Sequence, residues 1–512
     1  MHRGILCAAA VLAASCFAER GPLTNRIVQS GGSGGSITSY LARAARQPVD
    51  WQPWDREAFA LAARLDRPIL LYIGSDSCRA CAEADRSIYT DPQIASLINT
   101  LFVPVRVDRD ERPDIARRYQ AAVERMASLR GWPLTVFLTA DASPFFGGTY
   151  FPADDPVTGR GLTQILPEVA KRYHDQRAIL MQQAAIVRQL ALPGPGARGV
   201  LRGGVVREEI DGLARELDQV GRAPGVQSSV RVAEAASLLL TAYAQGRDTL
   251  ALRVAERALA VRLDTGAVRG DDDDPPRLVR AALAGALAKA WVVTGDVRYR
   301  ESGRAIVREL AREADPTLYA DREAFIMERL MLASATLGEP AIEARARAAI
   351  DVLLRRAYAK GWGVRHSLTS AVPLGVSVGL LQDQVQVASA CLVAHQLTGD
   401  LRYIETARDL VVIIERDYAD SLGGYFDAAQ SAAIPGVVND RTKQVFDDVL
   451  PGANAVAAAV LARLGAVTGE LAYRRRAQAT LEAFAGAIRG AAPDGLRATS
   501  YLAAAREVVG AP

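Results

Sequence analysis

The sequence predicts an α/β domain followed by an all-α array of helical hairpins, and three observations point there. Pro68–Cys81, PILLYIGSDSCRAC, reads as a buried apolar strand, a break at Gly74–Ser77 and the opening of a helix. Trp51, Trp54 and Trp132 lie in the first third of the chain, whereas the remainder is rich in the helix formers Ala, Leu and Arg. A Thr-Gly-acid join recurs in that remainder at Thr294-Gly295-Asp296, Thr398-Gly399-Asp400 and Thr468-Gly469-Glu470, each time between two amphipathic stretches. A chain of 512 residues has room for two or more domains.

Composition narrows the functional classes. Half of the residues are hydrophobic and 23% are charged, so the chain buries large cores and is not disordered. A net charge of +3 from scattered Lys and Arg leaves no nucleic-acid footprint. The five cysteines are Cys7, Cys16, Cys78, Cys81 and Cys391, and there are four histidines, so no second Cys pair completes a zinc site around Cys78 and Cys81. No metal or cofactor is expected.

Residues 1–18 carry a basic start, an apolar run from Ile5 to Ala14 and small residues before Cys16, the pattern of a secretory signal, with an apolar run too short to span a membrane. Leu12–Cys16 also resembles a bacterial lipobox with Cys16 as the lipidated residue; otherwise export is simple. The expected location is therefore the periplasm or cell envelope, with membrane attachment only through Cys16. Residues 19–36, containing SGGSGGS, read as a flexible tether.

The α/β part is assigned to residues 37–192. Its opening, Ser39–Pro68, reads as an amphipathic helix leading into the strand of the key stretch. Cys78 then sits at a helix N-terminus, where unpaired N–H groups and the positive end of the dipole favour a thiolate, and Cys81 is near enough to resolve a mixed disulfide. Leu101–Val107 alternates as a second strand and ends in the charged loop Asp108–Pro113. A helix over Ile115–Leu129, Gly131-Trp132-Pro133, a strand at Leu134–Leu138 and a returning strand at Phe145–Phe151 complete a βαβ half followed by a ββ hairpin. That is the thioredoxin order, in which the proline opening the third strand is cis and packs against the CxxC; Pro133 stands in that place. Leu162–Leu192 is helical, and the Pro- and Gly-rich stretch 193–204 reads as a linker.

QPVDWQPWDREAFALAARLDRPILLYIGSDSCRAC, TDPQIASLIN, VDRDERPDI and GWPLTVFLTADASPFFGGTYFP together resemble the spermatogenesis-associated thioredoxin-like family over about residues 37–152. Leu380–Asp383, Gly423–Phe426 and Asp440–Asn454 resemble its helical half. The resemblance implies a thioredoxin-like domain followed by an α/α toroid of six hairpins, here residues 205–512, like that of glycosidases and sugar epimerases. Two departures stand out. Arg79, Ala80 and Ala82 replace the aromatic and His residues usual in and after the family's CxxC, and Tyr72 stands where thioredoxins hold a buried carboxylate.

Sugar chemistry in a toroid needs paired carboxylates or histidines facing the cavity, for which Asp383, Asp447, Asp448, His366 and His395 are the candidates. Asp447–Asp448 reads as a solvated turn and His395 as a packed helical residue. The segment that should bear aromatic and His residues is instead Thr265–Pro276, TGAVRGDDDDPP, an acidic loop. The toroid is thus expected to be a scaffold without sugar chemistry. The expected activity is thiol–disulfide exchange on protein thiols or disulfides, with Cys78 attacking, Cys81 resolving, Trp132 offering backbone to the substrate and Pro133 shaping the site. The alternative is a toroid that binds or processes a glycan, with the CxxC as a structural disulfide.

Overall fold

A computed structural model describes residues 23–27 and 38–510 except 156–158, 192–197, 221–228, 265–274, 314–317, 370–373, 375–378, 433, 435–436, 438–440 and 490–494. The signal segment, the SGGSGGS run, residues 193–197 of the 193–204 linker and most of the acidic 265–276 loop lie outside the described residues.

The first part is a four-stranded mixed sheet of order β2-β1-β3-β4, made of β1 (Ile69–Gly74), β2 (Val103–Asp108), β3 (Leu134–Leu138) and β4 (Pro144–Gly148). β2 runs parallel to β1, and β3 and β4 are antiparallel to their neighbours. Every residue of β1, β2 and β3 is buried, because helices cover both faces. One face packs with Ile88, Ile94, Ile98 and Leu166, the other with Phe59, Ile115, Tyr119 and Val123.

Three sequence expectations are corrected here. The single helix over Ser39–Pro68 is two, α1 (Ser39–Ala44) and α2 (Arg56–Leu65). Pro48 and Pro53 explain the break, since each lacks an N–H and turns the preceding residue away from helix. The intervening Gln52 instead pairs with the edge of β2, its N–H donating to Pro104 O (2.8 Å) and its C=O accepting from Arg106 N (3.0 Å), so the edge strand is covered. Within the segment read as tether, residues 23–27 are packed: Ile27 is 1% exposed, and the Asn25 amide donates to Ala44 O and Val49 O. The helical stretch over Leu162–Leu192 is two helices, Leu162–Asp175 and Arg177–Ala191.

Beyond residue 198 the chain is an α/α toroid. Six inner helices, Ser229–Gly246, Pro276–Thr294, Ala320–Leu337, Leu381–Thr398, Ala453–Thr468 and Thr499–Val509, each pack on the next, and the last returns to the first. Around them lie the outer helices Gly203–Val220, Thr249–Asp264, Val297–Arg312, Pro340–Ala357, Leu401–Asp417 and Leu471–Glu482. The inner helices are buried nearly all round, as at Leu381–Ala394 where every residue is buried, polar ones included, because neighbours pack on all sides. Each Thr-Gly-acid join is a helix C-cap: Gly295, Gly399 and Gly469 adopt φ of 71°, 72° and 75°, which a side chain disfavours. These short joins gather at one end of the ring. The long connections lie at the other end, where the inner helices begin and where the thioredoxin-like domain sits.

Candidate active site

Cys78 is the N-cap of the helix Arg79–Ser87 and forms a disulfide with Cys81, with Cα atoms 5.2 Å apart. Its Sγ accepts the Cys81 N–H at 3.0 Å, so the sulfur already meets one of the N–H groups a helix start leaves without a partner. Cys78 is 3% exposed and Cys81 fully buried, so the first sulfur is the one nearer solvent. Arg79 is exposed. The Trp132–Pro133 peptide is cis. Gly74, at the end of β1, lies directly beneath the disulfide: a Cβ there would stand 2.8 Å from both Cys81 Sγ and Tyr40 Oη.

Under the CxxC helix lies a buried ion pair. Arg106, on β2, reaches Asp85 at 2.8 Å and 2.9 Å, and its guanidinium lies over the rings of Tyr40 (4.0 Å) and Tyr72 (5.1 Å). Gln47 donates to Asp85 (3.0 Å) and accepts from Trp51 Nε1 (2.7 Å), closing the network. Two carboxylates of this region were not picked out in the sequence. Asp85 reads there as one polar residue of a helix, yet it anchors that helix. Asp108 reads as the first residue of a charged loop, yet it pairs across the sheet with Gly74 and is 4% exposed. Burial, reinforced by Asp110, pushes the Asp108 carboxyl up to about 6. Only the parallel register reveals its nearness to the CxxC.

The charged loop after β2 leaves the domain and enters the toroid mouth. Arg109 donates to Ser77 Oγ (3.0 Å) beside Cys78, lies 5.2 Å over the Trp132 ring and pairs with Asp110 (3.1 Å). Asp110 in turn pairs with Arg322 of the toroid at 2.7 Å, and the two guanidinium groups hold its carboxyl well below the usual range. The Asp110 carbonyl accepts from His366 Nε2 (2.9 Å), while His366 Nδ1 meets Asp383 (2.8 Å) and, farther off, Asp321 (3.9 Å). His366 stacks on Tyr319 with ring centroids 4.7 Å apart. Arg117 reaches Asp427 at 3.3 Å.

Asp321, His366 and Asp383 are the one group among the described residues close enough together to share an ion. The hydrogen bonds argue against that use, because an imidazole donating to a carbonyl and to a carboxylate is protonated, and imidazolium is not a ligand. Asp383, followed by Asp321, raises the His366 pKa to about 10 against the opposing effect of burial.

Residues 34–191 match the DsbH-type thioredoxin family, described as a protein of unknown function, DUF255. Spermatogenesis-associated protein 20 of Rattus norvegicus is 37% identical over 145 residues, covering 28% of this chain and 18% of the relative. An uncharacterised protein of Caenorhabditis elegans is 35% identical over 190 residues, covering 36% of this chain and 26% of that one. The chain therefore aligns with about a quarter or less of the length of these relatives. Residues 34–191 resemble the spermatogenesis-associated thioredoxin-like family. Among solved structures, a heparin-specific unsaturated glucuronyl hydrolase matches at TM-score 0.45 and 14% identity over 60% of this chain and 97% of that one. A ruminal sugar epimerase matches at 0.44 and 11% over 55% and 85%.

Of the residues expected from the sequence, the structure gathers Cys78, Cys81, Trp132 and Pro133 at one end of the central strands β1 and β3, and draws His366 and Asp383 together with Asp321, which sequence reasoning missed. His395 stays apart, its Nδ1 donating to Asp400 O at 3.0 Å. The solvated-turn reading of Asp447 is corrected. Asp447 is 4% exposed, accepts from Gly452 N and Ser500 N (2.9 Å each), and is pushed up to about 7 by burial, whereas Asp448 is exposed. A carboxylate taken up by loop amides closes the ring and does not face a substrate.

Proposed function

We propose that this protein carries out thiol–disulfide exchange at Cys78–Cys81 and that its toroid is a docking body for the redox domain, not a sugar-processing enzyme. The observation that carries the reading is the position of Cys78: first turn of a helix, sulfur accepting an amide N–H, partner cysteine buried behind it. In the reducing direction the Cys78 thiolate attacks one sulfur of a substrate disulfide. The new S–S bond forms as the old one breaks, and the departing substrate thiolate takes up a proton. Cys81, having lost its proton, attacks Cys78 Sγ and releases the second substrate thiolate, which is protonated in turn. Two electrons pass to the substrate, and the pair ends as the disulfide.

The glycan alternative has His366, Asp383 and Asp321 in its favour as a carboxylate–imidazole group. Against it, both ring nitrogens of His366 are engaged, one by the backbone of Asp110, which occupies the mouth a sugar would need. Protein thiols or disulfides are the proposed substrates, and export, either simple or with lipid attachment at Cys16, is the proposed setting. The direct test is reduction of insulin disulfides by the full chain with dithiothreitol, with Cys78→Ser alongside. Acceleration that Cys78→Ser abolishes supports exchange. Turnover of a glycoside panel that Asp383→Asn removes would promote the alternative.

A further inference from the structure

A second cavity, of about 660 Å³, enters the toroid at the end where the inner helices finish, away from the redox domain. Thr241 and Gln245 of the helix Ser229–Gly246, Lys289 of Pro276–Thr294, Arg463 of Ala453–Thr468 and Arg506 of Thr499–Val509 line it, each in the C-terminal half of its helix. None of Asp321, His366 and Asp383 reaches its wall.

The three carboxylates that line this cavity are already taken by arginines. Glu234 accepts from Arg329 Nε and Nη2 (2.9 and 3.1 Å), Glu328 from Arg329 Nη1 (3.0 Å) and Glu507 from Arg463 Nε (3.3 Å). Lys289 and Arg506 are left without an acid. Among the described residues, Lys289 Nζ donates only to Thr241 Oγ1 (2.8 Å), and Arg506 only through Nε to Gln245 Oε1 (2.7 Å). An ammonium carries three donors and a guanidinium five, so most of the N–H groups of both cations have no partner. Burial lowers the Lys289 pKa, with Glu234 opposing and Arg329 and Arg463 adding to it, and burial and Arg207 lower that of Arg506. Holding both charged is thus costly while the cavity contains no anion.

Geometry brings the two together. Thr241 and Gln245 are four residues apart, so they lie on one face of their helix, one turn above the other. The helices that carry Lys289 and Arg506 flank that helix on its two sides. The two cations therefore meet neighbouring turns of the same face from opposite directions. Leu238, Ala286, Leu332 and Ala333 give the wall an apolar part as well.

We propose that this end of the toroid is a binding site for a small organic anion, its carboxylate or phosphate head held between Lys289 and Arg506 and its carbon body on the apolar wall. Oxyanions accept charge-assisted hydrogen bonds from both side chains at once, which neither a cation nor a neutral alcohol does. The site asks nothing of the CxxC pair and gives the ring a function of its own.

The test is isothermal titration calorimetry of the full-length protein with four probes that share a six-carbon body: hexanoate, hexyl phosphate, hexanol and hexylamine. One or both anions should bind, which identifies the preferred head, and hexanol and hexylamine should not. Lys289→Met and Arg506→Gln should each weaken the anion about tenfold, the size of one lost hydrogen bond to a charged group. Lys289→Met should leave Tm unchanged or raise it, because it removes a poorly solvated charge. Absence of heat with both anions at millimolar concentration overturns the site. So does hexanol binding as tightly as the anions, or anion binding that survives both substitutions.

Discussion

The Cys78 sulfur accepts an amide hydrogen at the first turn of its helix, where the dipole and the unpaired N–H groups lower the cost of negative charge. Cys81 enjoys no such exposure. In the reduced protein, iodoacetamide should therefore modify Cys78 well below pH 8 and Cys81 much more slowly, read by mass spectrometry of the labelled peptides. Equal and sluggish labelling of both would leave only a structural staple. Asp108 carries a second prediction. Its carboxyl is raised to about 6 in the fold against about 4 in an unfolded chain, so the folded state holds the proton longer. The stability this favours is complete below about pH 4 and is lost as pH rises through about 6, a change of roughly 3 kcal/mol for two units. Asp108→Asn should flatten that part of the stability curve in urea titrations from pH 4 to 7. An unchanged slope would place the titration elsewhere.

At the scale of elements, β1 and the helix after it depend on Gly74. A methyl group at that position would press on Cys81 Sγ and Tyr40 Oη at 2.8 Å, so Gly74→Ala should cost roughly 1–3 kcal/mol and slow exchange. Thermal unfolding with unchanged Tm would mean the disulfide yields easily. The strands β1 to β3 and the joins at Gly295, Gly399 and Gly469 were readable in sequence, because apolar runs and helix C-caps are local signals. The helix break at Pro48 and Pro53 was also written in the chain, but amphipathic periodicity on both sides masked it. The loop Asp108–Pro113 was not readable. A run of charges ordinarily faces water, and the groups that bury it, Arg322 and His366, lie more than two hundred residues away. The same holds for Asp321, whose relation to His366 exists only once the ring has closed.

Across the whole molecule, the two domains are held by a polar network that runs from Ser77 through Arg109 to Asp110 and branches there, the carboxylate to Arg322 and the carbonyl to His366 and on to Asp383. The His366 pKa is raised, so its contribution to stability is complete below about 6.5 and is lost as pH rises through about 10. The wild-type Tm should fall between pH 7 and pH 10, and His366→Gln should be less stable at pH 7 with a shallower fall. Parallel curves would show that the imidazolium does not hold the interface. Arg322→Ala leaves Asp110 with Arg109 alone at a buried site, and a loss of roughly 2–4 kcal/mol is expected from urea denaturation.

The central claim is that the Cys78–Cys81 pair turns over. The measurement that meets it most directly is trapping of the exchange intermediate: Cys81→Ser full-length protein incubated with oxidised insulin and analysed by non-reducing electrophoresis and mass spectrometry. The account predicts a mixed disulfide between Cys78 and an insulin chain, absent from the Cys78→Ser protein and released by dithiothreitol. No adduct with Cys81→Ser, together with wild-type insulin reduction no faster than dithiothreitol alone, would contradict it.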